Sequence, residues 1–339
     1  MFSALIPAFF FRIIFCSFVF IAAVVPVYSQ DAEGTPQGNP LKKCWTYGLD
    51  STEVRALFAD ESLIYAATSD GKLRSLSAQD GTAVWTVELG GEFASKILGV
   101  NEDLIVVSNT SGEKKQSVIR AIRKQTGVAR WRAEVPFSEK YYLGSSDPNG
   151  IAAIGSAGFA LGISSESGAT VWKTDLAAVA AEPSFKNGLV LIGAGSTRIY
   201  LLSLAERGRI VLNIESRWKP KAVAILDHGR FVAGDERGNI TAFHSQGSRD
   251  WKFKNGASIS HLTQTDEGIL AASNDNFIYM LTENRGGVVW KRRLSGRIAL
   301  EPVLMRDSIF VATYGDGRGY LINLDEGKIV DQTSDSNKE

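Results

Sequence analysis

The sequence predicts an all-β protein, a seven-bladed β-propeller of four-stranded antiparallel blades that is closed by the N-terminal strand around Trp45. Three observations lead to this prediction: a motif that recurs seven times, a period of about forty residues, and short β-rich runs separated by turn residues. Segments after residue 40 lack strong helical periodicity. A repeat of this length and content is typical of propeller blades.

The recurring motif is a turn glycine followed four residues later by a large side chain, usually a tryptophan. The clearest copy is the step from Gly81 to Trp85, and Leu212 and Asp331 replace the tryptophan in the fourth and seventh copies. The motif glycines are Gly81, Gly127, Gly168, Gly208, Gly247, Gly286 and Gly327. Each is preceded by an apolar run and an alternating strand such as KLRSLSA. We expect the tryptophans to pack between neighbouring blades, because their side chains are large and mainly apolar.

The end of the repeat array predicts how the ring closes. The last unit ends KIVDQ, with Asp331 at the tryptophan position, and Trp45 begins WTYGL, which resembles the outer strand WTVEL. An unpaired sheet edge is a hazard that propellers must avoid. The sequence therefore predicts that the Trp45 strand enters the last blade as its outer strand, that residues 329–331 are peripheral, and that deletion of residues 41–48 unfolds the protein. The propeller is assigned to residues 41–331.

The N-terminal segment predicts export. Residues 2–27 are mostly apolar, with Arg12 as their one charged residue, and small and polar residues follow. This pattern indicates a signal peptide over residues 1–29, cleaved near Ser29–Gln30. The alternative is an uncleaved membrane anchor formed by residues 2–27, since the run is long enough to span a bilayer. Either reading places the protein in the periplasm or cell envelope.

The other terminal segments and the cysteines carry less information. Residues 30–40 are polar and read as a flexible linker, and residues 332–339 read as a disordered tail. Cys16 lies in the leader, where the preceding Phe15 argues against lipid attachment. Cys44 is then the one cysteine of the mature chain, so no internal disulfide framework forms. It is interpreted as a small, half-buried residue beside Trp45, or as a thiol that cross-links to a partner.

The charges exclude one class of function. Lysines and arginines number 37, as do aspartates and glutamates, so the formal net charge is zero. A general nucleic-acid binder would show a basic excess or stripe, and neither is present. The chain is expected to be monomeric on its own.

Catalytic and metal-binding patterns are weak. The three histidines, His228, His244 and His261, lie in different segments, without the spacing of paired metal ligands. His244 adjoins Ser245, but adjacent strand residues point to opposite faces. No catalytic, cofactor-binding or metal residue is assigned, and no cofactor is expected. The remaining polar turn residues are interpreted as turn formers: Asp235, Glu236, Asp275 and the segment GDGRGY from Gly315 to Tyr320.

Three local features point to binding. The stretch SRWKPK, Ser216 to Lys221, is basic and aromatic, and KRR, Lys291 to Arg293, follows Trp290. Both could meet an acidic partner or anionic lipid, although a solvated loop explains each equally well. The second unit also carries an insertion, SNTSGEKKQS, and extra loop length is a common place for specificity.

The repeat pattern resembles a known family. The segments SDGKLRSLSAQDGTAVW, ERGNITAFHSQGSRDW and NDNFIYMLTENRGGVVW are similar to the PQQ-like repeat, named for pyrrolo-quinoline quinone dehydrogenases, and the resemblance covers roughly residues 41–331. In those dehydrogenases a vicinal cysteine pair stacks on the cofactor, and this chain has no such pair. The repeat therefore implies the fold rather than the quinone cofactor.

Among single-domain members, the chain resembles the propeller component of the outer-membrane β-barrel assembly machinery. That component has one blade more than the seven counted here, and its lipid anchor is not matched. The resemblance implies a non-enzymatic, protein-binding scaffold of the bacterial cell envelope that docks envelope or outer-membrane proteins on its loops. The alternative is a quinoprotein-type or other propeller enzyme with a site at the central axis, and a third reading is a membrane-tethered sensor domain.

Overall fold

The structure, a computed structural model, describes residues 44–49, 52–110, 115–147, 150–298, 300–314 and 318–333. These residues form seven antiparallel sheets, each built from consecutive strands, so every blade comes from one stretch of chain. The predicted all-β, seven-bladed propeller is confirmed. Within the described part, the helical content is one 3₁₀ turn, Asp227–Gly229, and no helix there is long and apolar enough to cross a membrane. The predicted leader, residues 1–29, and linker, residues 30–40, lie outside the described residues.

The first two strands of each blade form its inner half. The first strands are β1 (Val54–Ala59), β5 (Glu92–Phe93) with β6 (Leu98–Val100), β10 (Tyr141–Asp147), β14 (Ser184–Lys186), β18 (Pro220–Ile225), β22 (Ile259–Thr265) and β26 (Arg297–Ile298) with β27 (Val303–Leu304). The second strands are β2 (Leu63–Thr68), β7 (Asp103–Asn109), β11 (Gly150–Gly155), β15 (Leu189–Ala194), β19 (Phe231–Asp235), β23 (Gly268–Ser273) and β28 (Ser308–Tyr314).

The last two strands form the outer half. The third strands are β3 (Lys72–Ser77), β8 (Ser117–Arg123), β12 (Phe159–Ser164), β16 (Arg198–Ser203), β20 (Asn239–Phe243), β24 (Phe277–Leu281) and β29 (Gly319–Asn323). The outer strands are β4 (Ala83–Glu88), β9 (Ala129–Val135), β13 (Thr170–Asp175), β17 (Arg209–Glu215), β21 (Arg249–Lys254), β25 (Val288–Arg293) and β30 (Ile329–Gln332). Neighbouring strands pair in sequence order, apart from the short split first strands of blades 2 and 7.

The second strands form the core because both of their faces are covered by neighbouring blades. In β7, the run from Leu104 to Val107 is fully buried, and β-branched residues of this kind pack well on a pleated surface. Buried clusters join blades 1 and 2, 2 and 3, 3 and 4, 4 and 5, 5 and 6, and 6 and 7. The blades are thus bound to one another mainly by apolar side chains rather than by shared strands.

A tryptophan latch recurs at the junctions, as the sequence predicted. The indole Nε1 of Trp85 donates to the carbonyl of Lys124 at 2.8 Å, and that carbonyl lies three residues before the turn glycine of the next blade. The ring covers this glycine so closely that a methyl group on Gly127 would lie 2.7 Å from Cε3 of Trp85. The same bond to a carbonyl three residues before a turn glycine is made by Trp45, Trp131, Trp251 and Trp290.

The predicted closure of the ring is wrong in its strand pairing. Asp331 in β30 pairs with Leu321 in β29, so the last blade has its own outer strand and its pairing edge is already taken. Residues 44–49 form no strand. Trp45 instead acts as a latch on blade 1, where its indole donates to the carbonyl of Ala78 at 3.0 Å and covers Gly81. Cys44 beside it is exposed, where the sequence predicted a half-buried thiol.

The described part of the chain ends at residue 333, and residues 334–339 of the predicted tail lie outside it. Gln332 belongs to β30, and the backbone N–H of Thr333 donates to the carbonyl of Gly319 at 2.8 Å. The side-chain hydroxyl of Thr333 accepts a second bond from the Gly319 N–H. The propeller therefore extends two residues beyond the predicted boundary at 331.

The junction from blade 7 to blade 1 differs from the other six. The described residues form no buried cluster that joins these two blades. Phe310, Ala312 and Leu321, on the face of blade 7 that points away from blade 6, are half-buried. Their counterparts in blade 6 are nearly inaccessible: Leu270 (2%), Ala272 (1%) and Met280 (0%). This junction consequently gains less from apolar burial than the rest of the ring.

We predict that Gly127→Ala destabilises the protein more than Gly90→Ala. Both glycines have φ of +71°, which costs an alanine about 1 kcal/mol in either place. A methyl group at Gly90 meets nothing within 4 Å, whereas at Gly127 it meets the Trp85 ring, and overpacking adds about 1–3 kcal/mol. Urea unfolding of the two variants measures the difference. Equal free energies of unfolding would show that the latch does not constrain the glycine.

We predict that Trp45→Ala lowers the free energy of unfolding by about 2 kcal/mol, somewhat less than the loss expected for a fully buried tryptophan. The reason is that Trp45 is half-buried and makes a latch without belonging to a strand. The measurement is again urea unfolding, with the exposed Val84→Ala as the control. A Trp45→Ala variant as stable as this control would mean that the contact of Trp45 with blade 1 does not stabilise the protein.

Candidate functional site: the axial channel and the groove between blades 4 and 5

The first strands of several blades line a channel at the centre of the molecule. It contains a cavity of about 440 Å³. Polar walls come from Lys96, Glu182, His261 and Glu301, and aromatic walls come from Tyr142 and Phe185. The channel thus brings together residues that are distant in sequence. The alternative of a site at the central axis predicted such a meeting of residues without naming them.

Lys96 ties three blades together inside this channel. Its Nζ lies 2.6 Å from Oε1 of Glu182 in blade 4 and 2.6 Å from Oε2 of Glu301 in blade 7. Burial lowers the pKa of Lys96, but its attraction to the two glutamates outweighs burial and raises the pKa above its ordinary value. The three side chains are about half exposed, so water and salt weaken their attraction. The cluster positions blade 7 opposite blades 2 and 4 rather than supplying much stability.

His261 is the group in the channel that stays unsatisfied. Its Nδ1 is shielded from solvent and has no hydrogen-bond partner among the described residues. Burial lowers the pKa of His261 below its ordinary value; Glu301 and Glu182 oppose this effect, and Lys96 and Lys140 add to it. The imidazole is therefore neutral at pH 7 and can exchange a hydrogen bond with a molecule in the channel.

Several charged side chains of the channel are held by partners of opposite charge. Within the described ranges, no group of three or more histidine, cysteine or acidic side chains could hold a metal ion. A second network also satisfies its own charges: Nζ of Lys186 lies 2.6 Å from Oδ1 of Asp227, and Nε2 of Gln264 donates to Oδ2 of Asp227 at 2.8 Å. Lys186 holds the pKa of Asp227 below its ordinary value.

A second cavity, of about 240 Å³, lies between blades 4 and 5. The predicted binding stretch Ser216–Lys221 joins these blades and forms one wall. Trp218 is half-buried there, with the guanidinium carbons of Arg217 and Arg237 at 5.4 and 4.4 Å from its ring centroid. We call this cavity and its rim the 4–5 groove, bounded by Ile199, Arg217, Trp218, Phe243 and Lys252.

The rim of the 4–5 groove is positively charged. Four exposed cations lie at it and make no ion pair with a described carboxylate: Arg217, Arg249 and Lys252 in its lining, and Arg237 against Trp218. The two aspartates of the groove are already engaged. Asp235 accepts bonds from the backbone N–H groups of Arg237 and Asn239, and Asp250 pairs with Arg230 at 2.7 Å. A protein of zero net charge therefore carries a local basic surface here.

The other sequence features belong to the scaffold. Arg292 of the KRR stretch donates to the carbonyl of Gly327 at 2.5 Å, and Nζ of Lys291 lies 5.6 Å from the Phe277 ring centroid. Asn109 of the insertion donates to the carbonyl of Ser138 at 3.0 Å. Residues 111–114 of the insertion and 315–317 of the GDGRGY turn lie outside the described residues.

The remaining polar candidates are dispersed. His228 is exposed in the 3₁₀ turn. His244 lies 3.9 Å from Asp250 in blade 5, whereas His261 lies in the channel. Asp235 and Asp275 accept bonds from backbone N–H groups two residues ahead, which is the predicted behaviour of turn formers. Glu236 is exposed in the same turn as Asp235.

Sequence reasoning missed most of the channel residues, although a signal was available. The five channel residues Lys96, Tyr142, Glu182, His261 and Glu301 each lie fourteen or fifteen residues after a turn glycine of the repeat. Two of them occur in the same dipeptide, Glu-Pro, at equivalent places. Aligning the repeats on their glycines would have placed these side chains at one level of the axis.

The comparisons with known proteins agree on one relationship. The protein-family model PQQ_2, described as outer membrane protein assembly factor BamB, matches residues 41–142, 157–271 and 236–338. The outer membrane protein assembly factor BamB of Moranella endobia is 24% identical over 276 residues, which are 79% of this chain and 61% of that protein. The protein of the same name from Yersinia pestis is 23% identical over 285 residues, 81% of this chain and 62% of that one. The chain thus spans slightly less than two thirds of the length of these relatives.

Solved structures show the same fold. BamB from Moraxella catarrhalis superposes with a TM-score of 0.65 at 17% identity, over 80% of this chain and 83% of that chain. The computationally designed Ika8 protein superposes with a TM-score of 0.72 at 12% identity, over 86% of this chain and 89% of that chain. At such low identity, these likenesses establish the architecture alone.

We predict that His261 makes the protein less stable as the pH falls through the ordinary histidine pKa of about 6.5 toward the lower pKa of the folded state. Since its pKa is lowered in the folded state, the unfolded chain takes up the proton first, and stability is lost in this window. His261→Gln should flatten this part of the stability profile, measured by urea unfolding at each pH. His228→Gln, in an exposed turn, is the matched control and should keep the wild-type slope. A His261→Gln variant with the wild-type slope would contradict the buried neutral imidazole.

Proposed function

Because the chain belongs to the PQQ_2 family of outer membrane protein assembly factor BamB, we propose that it is a non-enzymatic, protein-binding scaffold of the bacterial cell envelope that serves the assembly of outer-membrane proteins. The observation that carries this proposal is the family match, which spans almost the whole propeller from residue 41 to residue 338. The curated relatives bear the name of assembly factors, which supports a role in assembly here.

The geometry suits a scaffold. Buried clusters join six of the seven pairs of neighbouring blades, and tryptophan latches recur at most of the junctions, so the loops between strands keep fixed relative positions. A preordered surface binds a partner at a smaller entropic cost than a flexible one. The positively charged 4–5 groove is one such surface. In the channel, the charge of Lys96 is already compensated by two glutamates, which favours a structural part for this cluster over the alternative of an enzyme at the axis.

We also propose a location and a domain organisation for the protein. Residues 1–29 direct export as a signal peptide, or residues 2–27 anchor the protein in a membrane, and residues 30–40 link this segment to the propeller. The propeller then acts in the periplasm with envelope or outer-membrane proteins as partners. The mass of the mature N-terminus distinguishes the cleaved form from the anchored one.

We predict that removing the gene from its host lowers the amount of folded outer-membrane β-barrel proteins, because their assembly loses a docking platform. The measurement is the fraction of barrels that migrate in the compact form on unheated gels, with quantitative mass spectrometry of outer membranes. The full chain supplied in trans should restore both values. Mild cross-linking of a C-terminally tagged chain should capture components of outer-membrane protein assembly.

Two results would contradict this function. Unchanged folded barrels after gene removal, together with cross-links free of outer-membrane assembly components, would remove the scaffold role. Reduction of a redox dye by the purified chain, dependent on an added quinone cofactor, would instead support the enzyme alternative.

A further inference from the structure

We propose that the 4–5 groove binds an acidic segment of a protein partner that inserts one aromatic side chain beside Trp218. The existence of such a partner rests on the proposed scaffold function. The chemistry of its segment is inferred from the groove alone. Cations at the rim would bind the carboxylates of the segment, and the cavity would take its aromatic side chain.

The charge distribution selects an acidic segment. Arg217, Arg237 and Lys252 are exposed and make no ion pair with a described carboxylate. Asp235 and Asp250 do not neutralise them, because the first caps its own turn and the second pairs with Arg230. Bringing carboxylates to this rim removes repulsion between like charges and forms charge-assisted hydrogen bonds.

The stacking at Trp218 prepares the arginines for this task. The guanidinium carbons of Arg217 and Arg237 lie 5.4 and 4.4 Å from the Trp218 ring centroid, within cation–π distance. A guanidinium in such a contact has five N–H donors, and its fork matches the geometry of a carboxylate. The indole thereby limits the motion of two long side chains, and less entropy is lost when they bind.

The cavity fits one large side chain. Its volume is about 240 Å³, and its lining combines apolar side chains with the rim cations. Phe243, Ala233 and Gly234 are buried on the blade 5 side, and Ile199 is buried on the blade 4 side. An aromatic side chain of the partner would bury its own apolar surface against these residues. It would lie near the half-buried Trp218 ring, as aromatic anchors do at protein interfaces.

The shape favours a protein segment over a membrane surface. The cations come from separate segments that line one cleft, since Arg217 lies in the connection before blade 5 and Lys252 lies on the outer strand of blade 5. A flat layer of anionic headgroups meets cations that lie in a plane, whereas an extended chain can follow a cleft. The acidic peptide is therefore the occupant to which the groove is assigned.

The test uses the mature full-length chain and a short fluorescein-labelled peptide with a central tryptophan flanked by glutamates. Fluorescence anisotropy should show binding that weakens as salt is added. Arg237→Glu should weaken binding about ten-fold or more, since it replaces an attraction by a repulsion. Trp218→Ala should weaken it as well. The matched control, Arg293→Glu, reverses an exposed cation on the outer strand of blade 6 and should bind as the wild type does.

The peptide controls separate charge from aromatic anchoring. Changing the glutamates to glutamines, or the tryptophan to alanine, should each reduce binding to the wild-type chain. Circular dichroism of every variant checks that the propeller is folded. Equal affinity of wild type and Arg237→Glu, or no binding of the acidic peptide at all, would overturn the assignment. Binding to phosphatidylglycerol vesicles that Arg237→Glu abolishes, without peptide binding, would overturn it in favour of lipid.

The groove and the scaffold function fail in different ways. If Arg217→Glu combined with Arg237→Glu restores folded barrels in the host as well as the wild-type chain does, the groove is not the docking surface and the scaffold role stands. If the peptide binds as expected but gene removal leaves the outer-membrane barrels unchanged, the groove stands and the scaffold role falls.

Discussion

The contact between a tryptophan of one blade and the turn glycine of the next is the constraint on which the rest of the structure depends. Trp85, for example, occupies the space that any side chain at position 127 would need, and it donates to a carbonyl of the same turn. The contact fixes the angle between successive blades, because the indole must satisfy both its ring packing and its N–H at once. Repetition of one local arrangement then sets the curvature that closes the ring, as in other repeat proteins.

The fold could be predicted from the sequence because its signal is redundant. Seven turn glycines recur at a regular step, each with its apolar run, so the same unit is indicated seven times. The blade could therefore be recognised even where Leu212 replaces the tryptophan. The closure could not be predicted, because two similar segments, WTYGL and KIVDQ, both suit the outer strand of the last blade. In the structure, β30 pairs with β29 and occupies that position.

The site was only partly predictable for a different reason. The segment Ser216–Lys221 is visible as a basic and aromatic run, and it does form a wall of the 4–5 groove. Its companions Arg237 and Lys252 come from the turn and the outer strand of the next blade, and each looks like an ordinary solvated cation in the sequence. Lys96 and Glu301, which form an ion pair, are similarly separated by most of the chain. Side chains that converge on an axis or a cleft become apparent only when the repeats are superposed.

The half-covered face of blade 7 has a consequence for how the molecule comes apart. In a stack where each unit is stabilised by its neighbours, the unit with one well-packed neighbour has the smallest local free energy of opening. Phe310 and Leu321 lie on such a unit, and its other face is joined to blade 6 through Ile309 and Val311. Blade 7 should accordingly detach first when the protein unfolds. Its loss would expose the apolar face of blade 6, so unfolding would continue from this end of the ring.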